Sequence, residues 1–147
     1  MQEIIRRLNK NYIPRIVKYE KIYFPEDAYD KETIKEYFTK GNQIPLGVFV
    51  DNHFAGYILF SYNNNFKSMI DSTVIIERYR GKGLSILLYE SALRFLKNKG
   101  IKYVYNYCRV SNEVSKKSIL SSGFVLKKRI KDYYEDEDGY FFVKRLN

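Results

Sequence analysis

A short run of glycines and cations is the part of the sequence whose residue types point most directly to chemistry. Gly81 and Gly83 alternate with Arg80 and Lys82, between an apolar segment and a long amphipathic one. A turn from a strand into a helix leaves the first backbone N–H groups of the helix unpaired, at the positive end of its dipole. The glycines allow a phosphate to approach those groups, and the cations add positive charge. The pattern predicts an anion site suited to the diphosphate of a nucleotide-bearing cofactor, although a tight turn without a ligand would use the same two glycines.

Several other kinds of site are excluded by residue counts and spacing. The run is not a Walker loop, and Ile86 stands where the dinucleotide motif needs its third glycine. The chain has one histidine, His53, and one cysteine, Cys108, so we expect neither a metal cluster nor a disulfide framework. We expect His53 to be exposed after a turn and Cys108 to be a small core residue.

The charge is unevenly distributed along the chain. Lys and Arg number 26 against 17 Asp and Glu, which gives a net charge of +9. Eleven of the 17 acids fall in two windows, residues 20–36 and 132–138. This pattern fits an anionic ligand on one surface and a cationic ligand on another, but solvated loops would also produce it.

Length and composition predict a single domain over residues 1–147. No repeat, linker or low-complexity tract divides the chain, and no apolar run approaches the length of a membrane span. The first residues lack the apolar core of an export signal, so we expect a cytoplasmic protein without a membrane partner. The sequence leaves the oligomeric state open, with a homodimer among the alternatives.

Hydrophobic periodicity predicts the element order βααβββαβαββ. Leu84, Leu88, Ala92 and Leu96 form a stripe along the strongest helix. A strand–helix–strand unit implies parallel pairing, and the flanking hairpins imply antiparallel pairing, so the fold class is α+β with a mixed sheet. The predicted strands are 2–8, 46–50, 54–62, 66–76, 101–108, 124–130 and 140–146, and the predicted helices are 14–24, 30–40, 84–98 and 112–121.

Two further expectations concern the end of the chain. Tyr103, Tyr105 and Tyr107 share one face of their strand, and we expect that face to lie beside a core helix. Residues 132–138 are expected to form an acidic loop between the last two strands.

The run RGKGLS at 80–85 resembles the Arg/Gln-x-x-Gly-x-Gly/Ala signature of the GNAT N-acetyltransferases. Asn112, which opens a short helix, and the later pair Gly123-Phe124 resemble the tail of the same family. The likeness covers nearly the whole chain. It implies a three-layer domain in which helices cover both faces of a mostly antiparallel sheet of six to seven strands, splayed after the fourth. The nearest pattern is the branch that acetylates protein N-termini.

The resemblance implies that acetyl-CoA is the cosubstrate and lies in the splay. A primary amine would attack the thioester directly. Backbone groups of two strand residues would hold the pantetheine, the turn would cradle the pyrophosphate, and Asn112 would bind the pantetheine. The implied cofactor-binding residues are Ile75, Ile76, Arg80, Gly81, Lys82, Gly83, Leu84, Ser85, Asn112 and Ser118.

The sequence departs from the family where catalytic side chains are usual. Ile119 stands where many relatives have the tyrosine that protonates the thiolate, and Ser118 is the nearest hydroxyl. Tyr107 stands where the N-terminal branch often has a glutamate, two residues before Arg109. We therefore take Tyr107 as a candidate polar group beside the thioester and Asp71, within an apolar strand, as a candidate base. Each would also fit an ordinary structural role.

The acceptor side is implied by the same resemblance. In this fold the two acidic windows would line the acceptor, so we expect a cationic amine: a peptide N-terminus, a lysine, a polyamine or an amino sugar. The implied substrate-binding residues are Glu26, Tyr29, Tyr133 and Tyr134. Two alternatives remain: an acyl-CoA-binding domain without activity, and a basic nucleic-acid or ribosome-associated module. The expected burial of the strand tyrosines disfavours nucleic acid.

Overall fold

The computed structural model describes all residues, Met1–Asn147. Its seven strands form one sheet in the order β1-β2-β3-β4-β5-β7-β6. The predicted element order and the α+β class are confirmed. The strands are β1 Glu3–Arg7, β2 Gln43–Val50, β3 His53–Tyr62, β4 Lys67–Ile75, β5 Tyr103–Arg109, β6 Val125–Tyr134 and β7 Glu137–Arg145. The helices are α1 Ile13–Tyr23, α2 Lys31–Glu36, α3 Leu84–Asn98 and α4 Glu113–Ser121.

The sheet is antiparallel except between β4 and β5, and there it splits. These two strands pair only from Lys67 opposite Tyr103 to Met69 opposite Tyr105. Beyond Met69, β4 continues along β3 while β5 continues along β7. A wedge-shaped gap therefore opens between the carboxyl halves of β4 and β5, as the resemblance implied.

Helices cover both faces of the sheet. One core lies between the sheet and α3, where Leu84, Leu88, Ala92 and Leu96 are fully or almost fully buried. The other lies between the sheet and the first two helices, around Ile16 and neighbouring aromatic residues. Because β2 and β3 lie between the two cores, most of their residues are buried. No helix is long and apolar enough to serve as a membrane span.

The second helix is shorter than predicted. Asp30 caps it as expected, since its Oδ1 accepts from the backbone N–H of Thr33 at 2.8 Å. However, the helix ends at Glu36 rather than Lys40. Tyr37 is 3% exposed, and its backbone N–H bonds to Ile34, three residues back, which tightens the chain into turns.

The two expectations for the end of the chain are wrong. Val104, Asn106 and Cys108 face the α3 core, so Tyr103, Tyr105 and Tyr107 lie on the opposite, less buried face. Their burial therefore gives no argument against nucleic acid. Residues 132–138 are not a loop either, because β6 and β7 extend through them to a turn at 135–136. Asp132, Glu135 and Asp136 are exposed, whereas Glu137 and Asp138 are half-buried and paired with Arg109 and Arg129. The acidic side chains therefore do not prevent strand pairing.

Candidate active site

The glycine-rich turn presents a row of unpaired backbone donors. No backbone N–H group of residues 81–86 donates to an acceptor within the protein. Gly81 and Gly83 have φ angles of 79° and 74°, which L side chains rarely adopt. A Cβ at either position would contact nothing within 4 Å, so the requirement for glycine is conformational. Six consecutive donors at the N-terminus of α3 match the chemistry of a diphosphate.

The two cations of this turn have different surroundings. Arg80 is held in place, because its Nε donates to the carbonyl of Ile75 at 3.0 Å and its guanidinium lies 4.8 Å from the centre of the Tyr23 ring. Lys82 is exposed, and its Nζ lies 3.9 Å from Sδ of Met1. Only Arg80 is oriented by the fold.

A cavity of about 370 Å³ adjoins this turn, between the end of β4, α4 and the end of α1. It brings together most of the residues that the resemblance implied for the cofactor. Lys82 and Ile76 do not line it. Both backbone groups of Ile76 are used within the protein, since its N–H donates to Ala55 and its carbonyl accepts from Tyr79. The lining residues from that set are Ile75, Arg80, Gly81, Gly83, Leu84, Ser85, Asn112 and Ser118.

The edge of β4 that faces the gap offers unpaired backbone groups. Backbone groups of a strand alternate in direction, and the N–H of Ile76 is directed toward β3. The backbone groups of Thr73 and Ile75 are therefore directed toward the gap, where the carbonyl of Ile75 accepts from Arg80 and the others are unpaired. On the opposite wall, Oδ1 of Asn112 caps α4 by accepting from Ser115 at 3.0 Å. This leaves the amide nitrogen of Asn112 available at the cavity.

A second cavity, of about 220 Å³, lies on the other side of the gap. It is lined by Tyr29, Asp71, Tyr107, Tyr133 and Tyr134, which were predicted for the acceptor or for catalysis. Glu26 does not line it. The two cavities share the wall residues Phe24, Thr73, Tyr89, Asn112 and Ser115, so they meet in the gap.

Asp71 is held with one oxygen bonded and one available. Oδ2 accepts from the hydroxyl of Tyr37 at 2.6 Å and from Oγ of Ser61 at 2.9 Å. Oδ1 has no partner, and it is not sealed off, since no enclosed side-chain oxygen lacks a hydrogen bond. Burial raises the pKa of Asp71 to about 6, against the lowering effect of the two hydrogen bonds. The group is therefore mostly ionised at neutral pH.

Glu20 is a second buried carboxylate on this cavity, and the sequence pointed to it only as part of an acidic window. It is 1% exposed, and Oε2 accepts from Tyr57 at 2.7 Å and from Ser72 at 2.6 Å. Burial raises its pKa. A signal was present, because Glu20 falls at i+7 from Ile13 on the apolar face of α1.

Tyrosines form the outer wall of the second cavity. The ring of Tyr107 stacks on that of Tyr133 with centroids 4.7 Å apart, and lies 4.9 Å from that of Phe141. Neither hydroxyl of the stacked pair is hydrogen-bonded within the protein, and burial raises both pKa values. The hydroxyl of Tyr29 donates to the carbonyl of Asp71 at 3.2 Å.

Arg109 joins the two acidic windows. Its guanidinium donates to both oxygens of Asp27 at 2.6 and 2.8 Å, to Asp136 at 2.7 Å and to Glu137 at 3.0 Å. Glu26 lies further away, at 3.4 Å. The guanidinium lowers the pKa of Asp136, and the hydroxyl of Ser111 together with the guanidinium lowers the pKa of Glu137. One cation thus faces four carboxylates, which leaves an excess of negative charge beside the second cavity.

Tyr89 of α3 was not singled out by the sequence, because the helical stripe passes beside it. It is 3% exposed, and its hydroxyl lies between β4 and β5. The oxygen accepts from Nδ2 of Asn106 at 3.1 Å and from Oγ1 of Thr73 at 3.3 Å. Tyr89 lines both cavities.

Comparison with known proteins identifies the family of this chain. The family model described as "Acetyltransferase (GNAT) family" matches residues 8–124. An N-alpha-acetyltransferase of Saccharolobus solfataricus is 28% identical over 158 residues, covering 97% of this chain and 92% of that protein.

Solved structures agree on the fold. NAA60 of Arabidopsis thaliana in complex with a bisubstrate analogue has a TM-score of 0.88 at 15% identity, covering 99% of each chain. The ribosomal-protein-S18-alanine N-acetyltransferase of Escherichia coli has a TM-score of 0.86 at 16% identity, covering 99% of this chain and 95% of that one. The predicted family, enzyme class and cosubstrate are confirmed. The chain belongs to the GNAT acetyltransferase family and is an acetyl-CoA-dependent N-acetyltransferase.

Proposed function

We propose that this protein transfers the acetyl group of acetyl-CoA to the α-amino group of a polypeptide by direct attack on the thioester. The observation that carries the proposal is the gap between β4 and β5. It joins a cavity bounded by unpaired N–H groups to one that contains the buried carboxylate of Glu20 and the half-buried carboxylate of Asp71. The two reactants would therefore meet inside the sheet from opposite sides.

On the cofactor side, the N–H groups of residues 81–86 bind the pyrophosphate, assisted by Arg80. The gap-facing backbone groups of Thr73 and the N–H of Ile75 bind the pantetheine as an added strand would. The amide of Asn112 supplies a further donor. Ser118 and Ser85, whose hydroxyls lie 3.3 Å apart, complete the opposite wall.

On the acceptor side, Asp71 is the base. When bound, acetyl-CoA supplies an activated acetyl thioester. An α-ammonium group has a pKa of about 8, so at neutral pH the amine enters mostly charged and is attracted by the carboxylates of the second cavity. The free Oδ1 of Asp71 accepts the proton that the nitrogen must lose before or during attack, and Tyr37 and Ser61 keep the carboxylate oriented.

Two features support a peptide over a small amine, and a third suits any cationic amine. The unpaired hydroxyls of Tyr107 and Tyr133 can donate to backbone carbonyls of an extended chain. The negative excess around Arg109 lies beside the cavity, where it favours a cationic N-terminus. The archaeal relative is described as an N-alpha-acetyltransferase.

The test is a competition among amines followed by mass spectrometry. The protein and acetyl-CoA are incubated with a pool of peptides that have free N-termini. A second pool contains peptides that are blocked at the N-terminus and carry a lysine as their free amine. A polyamine and an amino sugar are added in parallel. We expect acetylation of free N-termini alone; modification of the blocked peptides or of the small amines would contradict the proposed acceptor.

Binding measurements on the same protein test the two alternatives, an acyl-CoA-binding domain without activity and a nucleic-acid-binding module. Acetyl-CoA at about 100 times its dissociation constant should stabilise the fold by about 2.7 kcal/mol, which a thermal shift detects. Binding without CoA release on any amine would indicate a domain without activity. Lack of binding, together with salt-dependent binding to RNA, would indicate the nucleic-acid module.

A further inference from the structure

We infer that Tyr89 of α3 is the acid that protonates the sulfur of coenzyme A when the thioester breaks. This inference rests on the proposed transfer reaction. Ile119 stands where many relatives have the tyrosine that protonates the thiolate, and its apolar side chain, 1% exposed, cannot donate a proton. The inference assigns this role to the phenol of Tyr89.

The first support is the position of the hydroxyl in the fork of the sheet. The last β4–β5 pair is Met69 opposite Tyr105, and the next residues of the two strands separate. The Tyr89 oxygen lies just beyond this point, bonded to Thr73 on β4 and to Asn106 on β5. It therefore lies at the place where the cofactor-side and acceptor-side cavities meet.

The second support is the direction of the hydrogen bonds. Oδ1 of Asn106 accepts from the N–H of Tyr107 at 2.9 Å, which directs Nδ2 toward Tyr89 as a donor. With Thr73 as the second donor, the phenol oxygen accepts two hydrogen bonds and its own proton is free to point into the gap. These bonds stabilise the phenolate that is left after proton transfer, while burial opposes it.

The third support is that the ring is fixed. It packs edge-on against Phe124 with centroids 5.9 Å apart, and Cys108 is the titratable group that faces it from β5. A fixed ring keeps the hydroxyl at one point, as proton transfer requires.

Three other hydroxyls near the gap are committed elsewhere or point away. Tyr107 lies on the other face of β5, stacked on Tyr133. Tyr29 donates to the carbonyl of Asp71, and Ser118 pairs with Ser85. Among the tyrosines, Tyr89 is shared by the walls of both cavities.

The proton balance of the step is complete. The α-ammonium group first loses one proton to Asp71, which passes it to water. The neutral nitrogen then forms a bond to the acetyl carbon and loses a second proton to Asp71, which also returns it to water. The carbon–sulfur bond breaks with its electron pair on sulfur, and the Tyr89 proton moves to that sulfur, giving the thiol and a phenolate. Tyr89 recovers a proton from water once the products leave.

The first experiment removes only the hydroxyl. Tyr89→Phe keeps the ring against Phe124, so we expect the rate of acetyl transfer in a single turnover to fall by about 100-fold, the usual size of general-acid catalysis. Affinity for acetyl-CoA, measured by calorimetry, should change little. The matched control is Tyr62→Phe, which removes a hydroxyl bonded to the carbonyl of Gly41, outside both cavities. It should retain the full rate.

The second experiment keeps the hydroxyl and changes its acidity. Incorporation of a fluorinated tyrosine at position 89 lowers the phenol pKa with little change in shape. The basic limb of the pH profile for single-turnover transfer should then move to lower pH. A merely structural tyrosine would leave this limb in place.

The third experiment needs no turnover. A phenol that donates to sulfur stabilises the thiolate of bound coenzyme A, so the thiol pKa, followed by thiolate absorbance, should be higher in Tyr89→Phe than in the wild type. Equal thiol pKa values, an unmoved pH limb or a wild-type rate in Tyr89→Phe would each overturn the inference. If the wild type acetylates no amine, the proposed function itself fails, whereas wild-type turnover with an unaffected variant rejects Tyr89 alone.

Discussion

The two sides of the gap, which we propose bind acetyl-CoA and the amine, present different parts of the chain. The cofactor side consists mainly of backbone: six N–H groups in consecutive residues and the exposed edge of one strand. The acceptor side consists of side chains from α1, β4, β5 and the β6–β7 hairpin, held by Tyr37, Ser61 and Arg109. A backbone site depends on conformation, whereas a side-chain site depends on charge and on partners.

This difference predicts different sensitivities. Substitutions on the cofactor side should act through φ angles and affect acetyl-CoA binding. Those on the acceptor side should act through pKa values and charge and affect the amine. The following variants test that division, from the largest expected effect to the smallest.

Asp71→Asn should reduce kcat by about 100-fold, because the amide cannot accept the amine proton. The same change should stabilise the fold at pH 8. The folded-state pKa of about 6 lies above the usual 3.8, so ionised Asp71 costs stability above pH 6, on the order of 3 kcal/mol. Below pH 4 the gain should disappear.

Urea unfolding at pH 8 and pH 4 measures this difference. Glu90→Gln, which is exposed on α3, is the control and should change neither rate nor stability. A full rate in Asp71→Asn would assign the base elsewhere, with Glu20 the next carboxylate to test.

Gly83→Ala should weaken acetyl-CoA binding by about tenfold, equivalent to 1.4 kcal/mol, because the left-handed φ of 74° becomes strained and the donor row shifts. Gly100→Ala is the matched control, since its φ of 80° gives similar strain at the far end of α3. Both variants should lose about 1–2 kcal/mol of stability. Calorimetry should detect weaker acetyl-CoA binding only for Gly83→Ala. Equal binding in both variants would contradict the proposal that the N–H groups of residues 81–86 bind the pyrophosphate.

Asp27→Asn should raise the KM for the amine by about threefold and leave acetyl-CoA binding unchanged. It loses the two-oxygen contact with Arg109 that ties the segment after α1 to the β6–β7 hairpin. Glu26→Gln should have little effect, because Glu26 is more distant and outside the cavity. Steady-state kinetics at low and high salt measures both, and the difference should shrink as salt rises.

Ser85→Ala should weaken acetyl-CoA binding by less than about threefold, the value of one weak hydrogen bond. The serine hydroxyl lies 3.3 Å from that of Ser118 and is peripheral to the row of backbone donors. Calorimetry of this variant beside Gly83→Ala compares a side chain with a backbone angle at the same turn. A larger loss for Ser85 would mean that side chains dominate this side as well.

Much of the fold and the cofactor turn could be predicted from sequence. Leu84, Leu88, Ala92 and Leu96 repeat at helical spacing, and the paired glycines mark the preceding turn, so both signals are local. The strand tyrosines were assigned to the wrong face, because alternation alone does not say which face meets the core. Val104 and Cys108 pack there instead, with Asn106 between them.

The acceptor side shows what local patterns miss. Nothing near Arg109 in the sequence indicates that Asp27 and Asp136 would meet around it, since 82 residues separate it from Asp27 and 27 from Asp136. The acidic windows were visible as composition, but their pairing was not.

The sequence by itself determined the element order, the glycine-rich turn before α3 and the family, because each depends on residues that are close along the chain. Only the tertiary structure decided which carboxylates are buried, which are neutralised, and that the Tyr89 hydroxyl lies in the fork of the sheet. These properties arise when distant segments pack together, since burial and hydrogen-bond partners depend on neighbours in space rather than in sequence.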